Sequence, residues 1–491
     1  LAVALETVPL WPLPSSYSFG SEVLGLSGKF AITYSGNNEI VQKAVSRYLQ
    51  LINNPTSSSG SLTSCSLSVT DDSTTPDIIG SAEGYGISIS SDSSCSITAD
   101  SVWGSLRALE SFTQLLTRSS SGEVQIEGTP LAVKDSARYG HRGILIDTAR
   151  HYLSTNEILR IVDSLPASKF NVLHWHIIDA ESFPFESASE PTMVKGAFSP
   201  SQIYTADNLK TVKDYAYERG IELVVEVDVP GHAASWTAGK KEIMADCFAK
   251  YYYNINDFAL NPSLDETYTT VNNILTDIIK ATGSSRIHLG GDEVVYGCWK
   301  NDTSVVNFYN QMGYTSYDQV LGYFVNRVDN YVTTNLDVKV THWEEVFTAN
   351  VKVPEGTTFQ VWTDSTKVGQ LTSAKYPVIA SPSDYWYLNI ATNTWQNMYA
   401  YDPTVGLTSA QAEYIIGGEA ALWGEYIDDS NIETNIYPRA CTVAERLWSP
   451  KTVTDTTDAQ NRLIIQKCRL VNRGFHSTPV KPADYCSKIY I

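Results

Sequence analysis

The chain changes rhythm once. From His141 onward, short apolar runs recur, bounded by polar and turn-forming residues and mostly separated by amphipathic stretches of helical period. Eight runs stand out: Arg142–Ile146, Asn171–Ile177, Glu222–Val227, Arg286–Leu289, Val338–Trp343, Thr358–Trp362, Pro377–Ser381 and Tyr414–Gly418. Continuous rather than alternating hydrophobicity suits strands buried on both faces. The stretches between them, such as Ser154–Ser168, Thr205–Arg219 and Tyr317–Thr334, carry helix cap signals. Eight repeats of strand then helix over about 350 residues predict an α/β fold, a (β/α)8 TIM barrel, with its active site at the C-terminal ends of the strands. A doubly wound open sheet is the alternative. No GxGxxG or GxxxxGK[ST] follows any run, which weakens a nucleotide-binding reading.

Residues 1–138 have another texture. Alternating strands are expected at Lys29–Thr33, Ser66–Thr70 and Gly84–Ile89, and helices at Glu39–Ile52 and Asp100–Leu116. Ser/Thr/Gly-rich loops such as Pro55–Ser64 lie between them. This pattern predicts an N-terminal accessory α+β domain over 1–138, a small sheet with helices on one face. A catalytic barrel with a C-terminal extension follows over 139–491.

Composition narrows the partners. A net charge of -19 argues against nucleic acid and an anionic membrane surface, and suits mildly acidic surroundings. No run approaches the ~18–20 apolar residues of a membrane span. The 11 Trp and 29 Tyr hint at carbohydrate, whose apolar ring faces stack on indole and phenol; an aromatic-rich core is the plainer explanation. The seven cysteines form no CxxC or Cys/His cluster of zinc spacing. Bridges Cys65–Cys95, Cys247–Cys298 and Cys468–Cys486 are expected, with Cys441 a free thiol in a buried helix, although spacing does not determine the pairing. Bridges imply secretion or a lysosome-like compartment. The sequon Asn301-Asp302-Thr303 fits that route as a glycosylation site, and Leu1–Leu5 reads as the remnant of a processed leader.

A barrel should gather its chemistry just after the strands, and the candidates lie there. Asp147 and Arg150 follow the first run, Asp179 the second, Asp228 and His232 the third, Asp292 and Glu293 the fourth. Trp343 with Glu344 and Trp362 with Asp364 end the fifth and sixth. Tyr385, Tyr387 and Asn389 follow the seventh, Trp423 and Glu425 the eighth. Carboxylates, one Arg, one His and a wall of Trp suit a sugar pocket. In His288-Leu289-Gly290-Gly291-Asp292-Glu293 the glycines permit a sharp turn, and the paired acids suit acid/base chemistry; a helix N-cap is the simpler alternative. Adjacent extended residues point to opposite faces. The pair is therefore not expected to supply the opposed nucleophile and acid of the common glycosidase scheme. One acid donates a proton, the other grips a substrate that carries its own nucleophile. His174-Trp175-His176, with His232, His288 and an Asp, leaves a metal-dependent barrel hydrolase as a competing class. Otherwise His174 and His176 are interior residues satisfied by neighbouring polar groups.

Several motifs together are similar to those of glycoside hydrolase family 20, the β-N-acetylhexosaminidases, particularly of fungal and lysosomal eukaryotic type. They are Arg142-Gly143-Ile144-Leu145-Ile146-Asp147-Thr148-Ala149-Arg150-His151, Asn171-Val172-Leu173-His174-Trp175-His176, Asp228-Val229-Pro230-Gly231-His232 and His288 to Glu293. Further on come Trp343-Glu344-Glu345, Trp386-Tyr387-Leu388-Asn389 and Gly417-Gly418-Glu419-Ala420-Ala421-Leu422-Trp423-Gly424-Glu425. The resemblance implies an exo-acting, retaining enzyme without metal or cofactor. Its substrates would be N-acetylhexosamine-terminated oligosaccharides, chitooligosaccharides or glycoconjugates that lose terminal GlcNAc or GalNAc through an oxazolinium intermediate. By the same resemblance Glu293 is general acid and then base, its pKa raised by a neighbouring anion and desolvation. Asp292 orients the acetamido N–H, and Tyr387 bonds the acetamido carbonyl. Trp343, Trp362 and Trp423 wall the pocket, and Arg150 and Glu425 bind outer hydroxyls. Asp179 and His232 buffer the charge of Glu293. Trp175 and Trp236 are read as core, Glu344, Glu345 and Asp364 as caps or rim, and Asp147 as the holder of Arg150.

Two departures stand out. Ala180-Glu181 after Asp179 replaces the more usual DDQ or DSQ pattern. Asn389 stands where many relatives carry Asp, so better tolerance of 6-sulfated substrates than in an Asn389→Asp variant is expected. The resemblance further implies a homodimer and raises a propeptide that stays bound. A family member of other specificity, such as a lacto-N-biosidase, is the alternative function. A non-catalytic sugar-binding homologue conflicts with the intact Asp292, Glu293 and Tyr387.

Overall fold

Alternation builds the first sheet. The strand Cys95–Ser101 buries every second residue, placing Ile97 and Ala99 in the core and Ser96 and Thr98 outside. The computed structural model describes residues 7–247 and 254–491. Leu1–Leu5 lies outside the described residues. The sheet comprises β1 (Ser16–Tyr34), β2 (Leu62–Asp71), β3 (Tyr85–Ile89), β4 (Cys95–Ser101), β5 (Leu116–Arg118) and β6 (Val124–Asp135). Its seventh strand, Ile489–Tyr490, comes from the far end of the chain and pairs antiparallel with β5. Helices Glu39–Ile52 and Val102–Gln114 pack against the apolar face through Val41, Val45, Leu106, Leu109 and Phe112.

The helix expected over Asp100–Leu116 is shorter because both ends belong to strands. Asp100 and Ser101 complete β4, Leu116 opens β5, and the Ser101 hydroxyl caps the helix by accepting from Gly104 N at 3.2 Å. The three expected disulfides are present, and Cys441 is buried and free.

The second unit is a closed parallel barrel. Its strands are β7 (His141–Asp147), β8 (Val172–Ile178), β9 (Glu222–Val227), β10 (Arg286–His288), β11 (Lys339–Trp343), β12 (Thr358–Val361), β13 (Val378–Ala380) and β14 (Ile415–Leu422). All eight coincide with the predicted runs to within a few residues. The barrel interior departs from the usual filling of branched aliphatics. Inward positions carry His141, His174, His288, Thr341, Thr358, Gln360 and Glu419. Glu83, ahead of β3, lies between Arg107 Nε at 2.8 Å and Arg142 Nη2 at 2.7 Å, all three buried. Arg142 belongs to β7, so this cluster locks sheet and barrel together.

Candidate active site

Past β10 the chain turns through Gly290 and Gly291 at φ 59° and 95°. A Cβ on Gly290 would lie 1.9 Å from Asp228 Oδ1, and one on Gly291 2.6 Å from Val346 Cγ2. Only glycine fits either position. Glu293 is also left-handed, at φ 49°, a conformation that costs a non-glycine residue about 1–3 kcal/mol and gathers at functional sites. This corrects the expectation that the adjacent acids diverge, which holds only for extended chain. Asp292 Oδ2 and Glu293 Oε2 both approach His232 Nε2, at 3.9 and 3.4 Å. Sharing one imidazole, they stand on one side of the site and still form no opposed pair across a glycosidic bond.

Behind them runs a buried polar line. His232 Nδ1 lies 3.1 Å from Asp179 Oδ1, and Asp179 Oδ2 meets His176 Nε2 at 2.6 Å and Arg150 Nη2 at 2.9 Å. Asp147 holds Arg150 as expected, at 3.1 Å, and also accepts from Gly424 N at 2.9 Å. Glu181, in the stretch that departs from the usual pattern, is a further carboxylate on Arg150, at 3.1 Å. The Arg150 guanidinium stacks 5.1 Å from the Trp423 ring centre. Glu425 and Asn389 are exposed.

The raised pKa expected of Glu293 is not found in the free protein. Glu293 is half exposed, and the hydrogen bond and charge of His232 hold it below the usual range despite partial burial. Desolvation falls on Asp292 instead and raises it. Burial, together with the Asp292 charge, pushes Asp228 well above the carboxylate range. Neutral Asp228 accepts from Gly291 N at 2.8 Å and hydrogen-bonds Asp292. Burial opposes the charges of Asp179 and His232, yet the pair holds both ionised: Asp179 well below its ordinary value, His232 well above.

Indoles form the remaining walls. The Trp343 and Trp423 ring centres are 6.0 Å apart, and Tyr387 lies 6.3 Å from Trp362, nearly parallel, and 6.4 Å from Trp423. Tyr387 is placed by backbone pairing beside β14: Leu388 N donates to Ala421 O at 2.7 Å, and Ala421 N to Trp386 O at 3.0 Å. Among the described residues, the buried Asp292 Oδ1 has no hydrogen-bond partner, and the buried Tyr387 hydroxyl has no acceptor for its proton, only the Trp423 indole beside it as a donor. Glu345 accepts from Trp362 Nε1 at 2.9 Å; burial and the Asp292 charge push it up to about 9. Glu344 caps the end of β12 through Trp362 N and Thr363 N, both at 2.9 Å. Asp364 caps Thr366 N in the exposed loop. Trp175 and Trp236 are core.

The metal alternative has candidate ligands: His174, Glu226 and His288, and likewise Asp179, Asp228 and His232, place ligand atoms within 4.8 Å of one another. Binding requires neutral imidazole. Despite burial, the charges of Glu419 and Glu226 raise His174 to about 9, and His232 is held charged by Asp179. His174 and His176 each stand between two buried carboxylates, Glu419 and Glu226 for the first and Glu226 and Asp179 for the second, the polar neighbours that the second reading of that motif expects. From sequence, Glu181, Glu226 and Glu419 have no site role, Asp228 stands among the strand-end candidates without one, and Glu345 is only a cap or rim residue. Glu226 had a usable signal, an acid inside an apolar run, and Glu419, just past the end of the eighth run, a weaker one, since buried acids need partners.

Sequence models identify the relatives. That of the glycosyl hydrolase family 20 catalytic domain matches residues 139–451, and that of a beta-acetyl hexosaminidase-like domain matches residues 10–115. The beta-hexosaminidase subunit beta of Homo sapiens is 38% identical over 399 residues, 80% of this chain and 71% of that one. The beta-hexosaminidase subunit A1 of Dictyostelium discoideum is 35% identical, over 99% and 93%. A family 20 exo beta-N-acetylglucosaminidase from Vibrio harveyi, in complex with N-acetylglucosamine, superposes with a TM-score of 0.85 at 22% identity, over 98% of this chain and 79% of that chain. Streptomyces plicatus N-acetyl-beta-hexosaminidase gives 0.76 at 22% identity, over 98% and 99%. At these identities the superpositions speak for a shared fold.

Proposed function

The chain belongs to glycosyl hydrolase family 20, and on that premise we propose that it is an exo-acting, retaining β-N-acetylhexosaminidase using substrate-assisted catalysis. One observation carries this reading. Among the described residues, the buried Tyr387 hydroxyl has no acceptor for its proton and the buried acceptor Asp292 Oδ1 has no donor, beside an indole box. An acetamido group offers the complementary carbonyl and N–H, and its methyl suits the indoles. An unmatched pair of buried polar atoms costs about 1–3 kcal/mol each, so a ligand that satisfies both is selected strongly.

In this scheme Glu293 gives its proton to the glycosidic oxygen while the acetamido oxygen attacks the anomeric carbon. The bond to the leaving group breaks, and Asp292 stabilises the positive charge growing on the acetamido nitrogen. Tyr387 holds the attacking oxygen in line. Glu293, now anionic, takes a proton from water, which adds to the anomeric carbon from the leaving-group face. The acetamido group is restored and configuration retained. Arg150 and Glu425 bind the outer hydroxyls, Trp343, Trp362 and Trp423 pack the ring and methyl, and Asp179 with His232 buffers Glu293.

The test uses p-nitrophenyl glycosides of GlcNAc, GalNAc and glucose, with and without a GlcNAc-thiazoline. Hydrolysis of the two N-acetylated substrates, blocked by the thiazoline, is the expected result; comparable hydrolysis of the glucoside rejects the scheme. Activity is expected to survive EDTA. Asn389→Asp should lower the ratio of 6-sulfated to neutral substrate turnover. The proposal extends to a catalytic unit over 139–491, a secreted or lysosome-like location supported by the three disulfides and the exposed Asn301 sequon, and a homodimer testable by light scattering.

A further inference from the structure

Beneath the site lies a line of charge that the reaction scheme does not use. From His176 it continues downward through the barrel interior. His176 Nδ1 meets Glu226 Oε2 at 2.8 Å, and the same oxygen lies 3.0 Å from His174 Nε2. His174 Nδ1 meets Glu419 Oε2 at 2.9 Å, and Glu419 Oε1 meets His141 Nε2 at 2.6 Å at the base of β7. Gln360 Nε2 also donates to Glu419, at 2.8 Å. With the upper part, the line runs Glu293, His232, Asp179, His176, Glu226, His174, Glu419. Each of its three imidazoles stands between two carboxylates, and below Glu293 every member is buried. The fold makes room for it: a Cβ on Gly143 would lie 2.6 Å from Glu419 Cγ.

Glu226 is the junction. Its other oxygen accepts the Trp343 indole N–H at 2.8 Å, so one carboxylate ties a pocket wall to the acid–base line. We infer that Glu226 is a positioning residue for the proposed hydrolysis, setting the charge beneath Glu293 through His176, Asp179 and His232 while holding the Trp343 wall, with His174 and Glu419 as its support from below. The inference rests on the hexosaminidase reading for its kinetic consequence and on the buried geometry for its existence.

Glu226 is faced by His174 and His176 from β8, His288 from β10 and Trp343 from β11, and its own charge helps to raise Asp228 and Asp292 beyond the strand ends. Glu293 is faced by His232, Arg150, Asp179 and Asp292, with Asp257 nearby. Glu226→Gln keeps the shape and removes one negative charge. The interior becomes more positive, which favours the Glu293 anion. The general acid must carry its proton, so the alkaline limb of the kcat profile moves to lower pH, by about half a unit or more. Glu226→Asp keeps the charge and should leave the limb in place even where kcat falls from altered packing. Glu419→Gln, at the far end, should give a smaller shift of the same sign, and takes over the test if Glu226→Gln does not fold.

The profiles are measured on p-nitrophenyl GlcNAc. Folded Glu226→Gln and Glu419→Gln variants with the wild-type limb overturn the inference, whatever their kcat. A wild-type protein without activity fails the functional reading instead. Histidine side-chain NMR then decides: the His174 and His176 imidazolium signals should persist above neutral pH in the wild type and titrate earlier in Glu226→Gln. Identical titrations overturn the inference.

Discussion

Glu293 is a general acid whose surroundings in the free protein favour its anion. The His232 imidazolium sits against a half-exposed carboxylate. A bound sugar covers that carboxylate and removes water, which raises its pKa. The alkaline limb of kcat, reporting the complex, is therefore expected at higher pH than that of kcat/KM, reporting the free enzyme. Coincident limbs would show that substrate does not change the environment of Glu293. Asp292 must be ionised to stabilise the positive charge that grows on the acetamido nitrogen, and its burial raises its pKa, so the acidic limb should lie above an ordinary Asp value of about 3.9. Asp228 offers a sharper comparison. As a neutral acid it accepts from Gly291 N and donates to Asp292, and an amide can do both. Asp228→Asn should keep most of kcat/KM, whereas Asp228→Ala should lose about ten- to a hundredfold, the cost of roughly 1–3 kcal/mol for orphaned buried groups. Equal losses would mean that the carboxylate charge itself matters.

At the scale of elements, the strand runs were legible because strands buried on both faces read as continuous apolar segments. The alternating strand β4 was hidden by a Ser-rich context and by the helix that starts directly after it. The β10 turn separates two roles of glycine. Gly283 and Gly290 share nearly the same φ, 60° and 59°, but nothing lies within 4 Å of a Cβ on Gly283, while a Cβ on Gly290 meets Asp228 Oδ1 at 1.9 Å. Gly283→Ala should cost about 1 kcal/mol of stability through backbone strain and leave activity intact. Gly290→Ala should abolish measurable kcat/KM by displacing Asp228 from Asp292. An active Gly290→Ala enzyme would remove the close approach as the reason for this glycine.

For the whole molecule, the buried line makes stability depend on pH from both sides. His174 is raised to about 9 in the fold, from about 6.5 when unfolded, and His176 and His232 are raised further. A raised group contributes fully below its unfolded pKa, so this stability is complete below about pH 6.5 and is lost as pH climbs toward 9. Asp179 and Glu226 are lowered against the cost of burial, by His232 and Arg150 for the first and by His176 and His288 for the second. Their contribution is present above about pH 4 and lost as pH falls. The net charge of -19 adds repulsion on the alkaline side. Calorimetry should find the highest Tm between about pH 4.5 and 6.5, falling by several degrees at pH 9. A Tm that peaks above pH 8 would contradict the charge state assigned to the imidazoles.

The amino-acid sequence by itself determined the barrel, the presence of cysteines enough for three bridges and the place of each candidate group at a strand end, while the pairing of the cysteines was decided by the fold. The first three follow from local periodicity, cysteine count and motifs contiguous along the chain. It could not decide where carboxylates from different strands meet. The convergence of Asp292 and Glu293 depends on a left-handed φ at Glu293, and the neutral state of Asp228 on burial against a residue 64 positions later. Glu226 and Glu419 are nearly two hundred residues apart, yet His174 joins them inside the closed barrel. Charge interactions act through space in a low-dielectric interior, and only the closure of β14 onto β7 creates that interior.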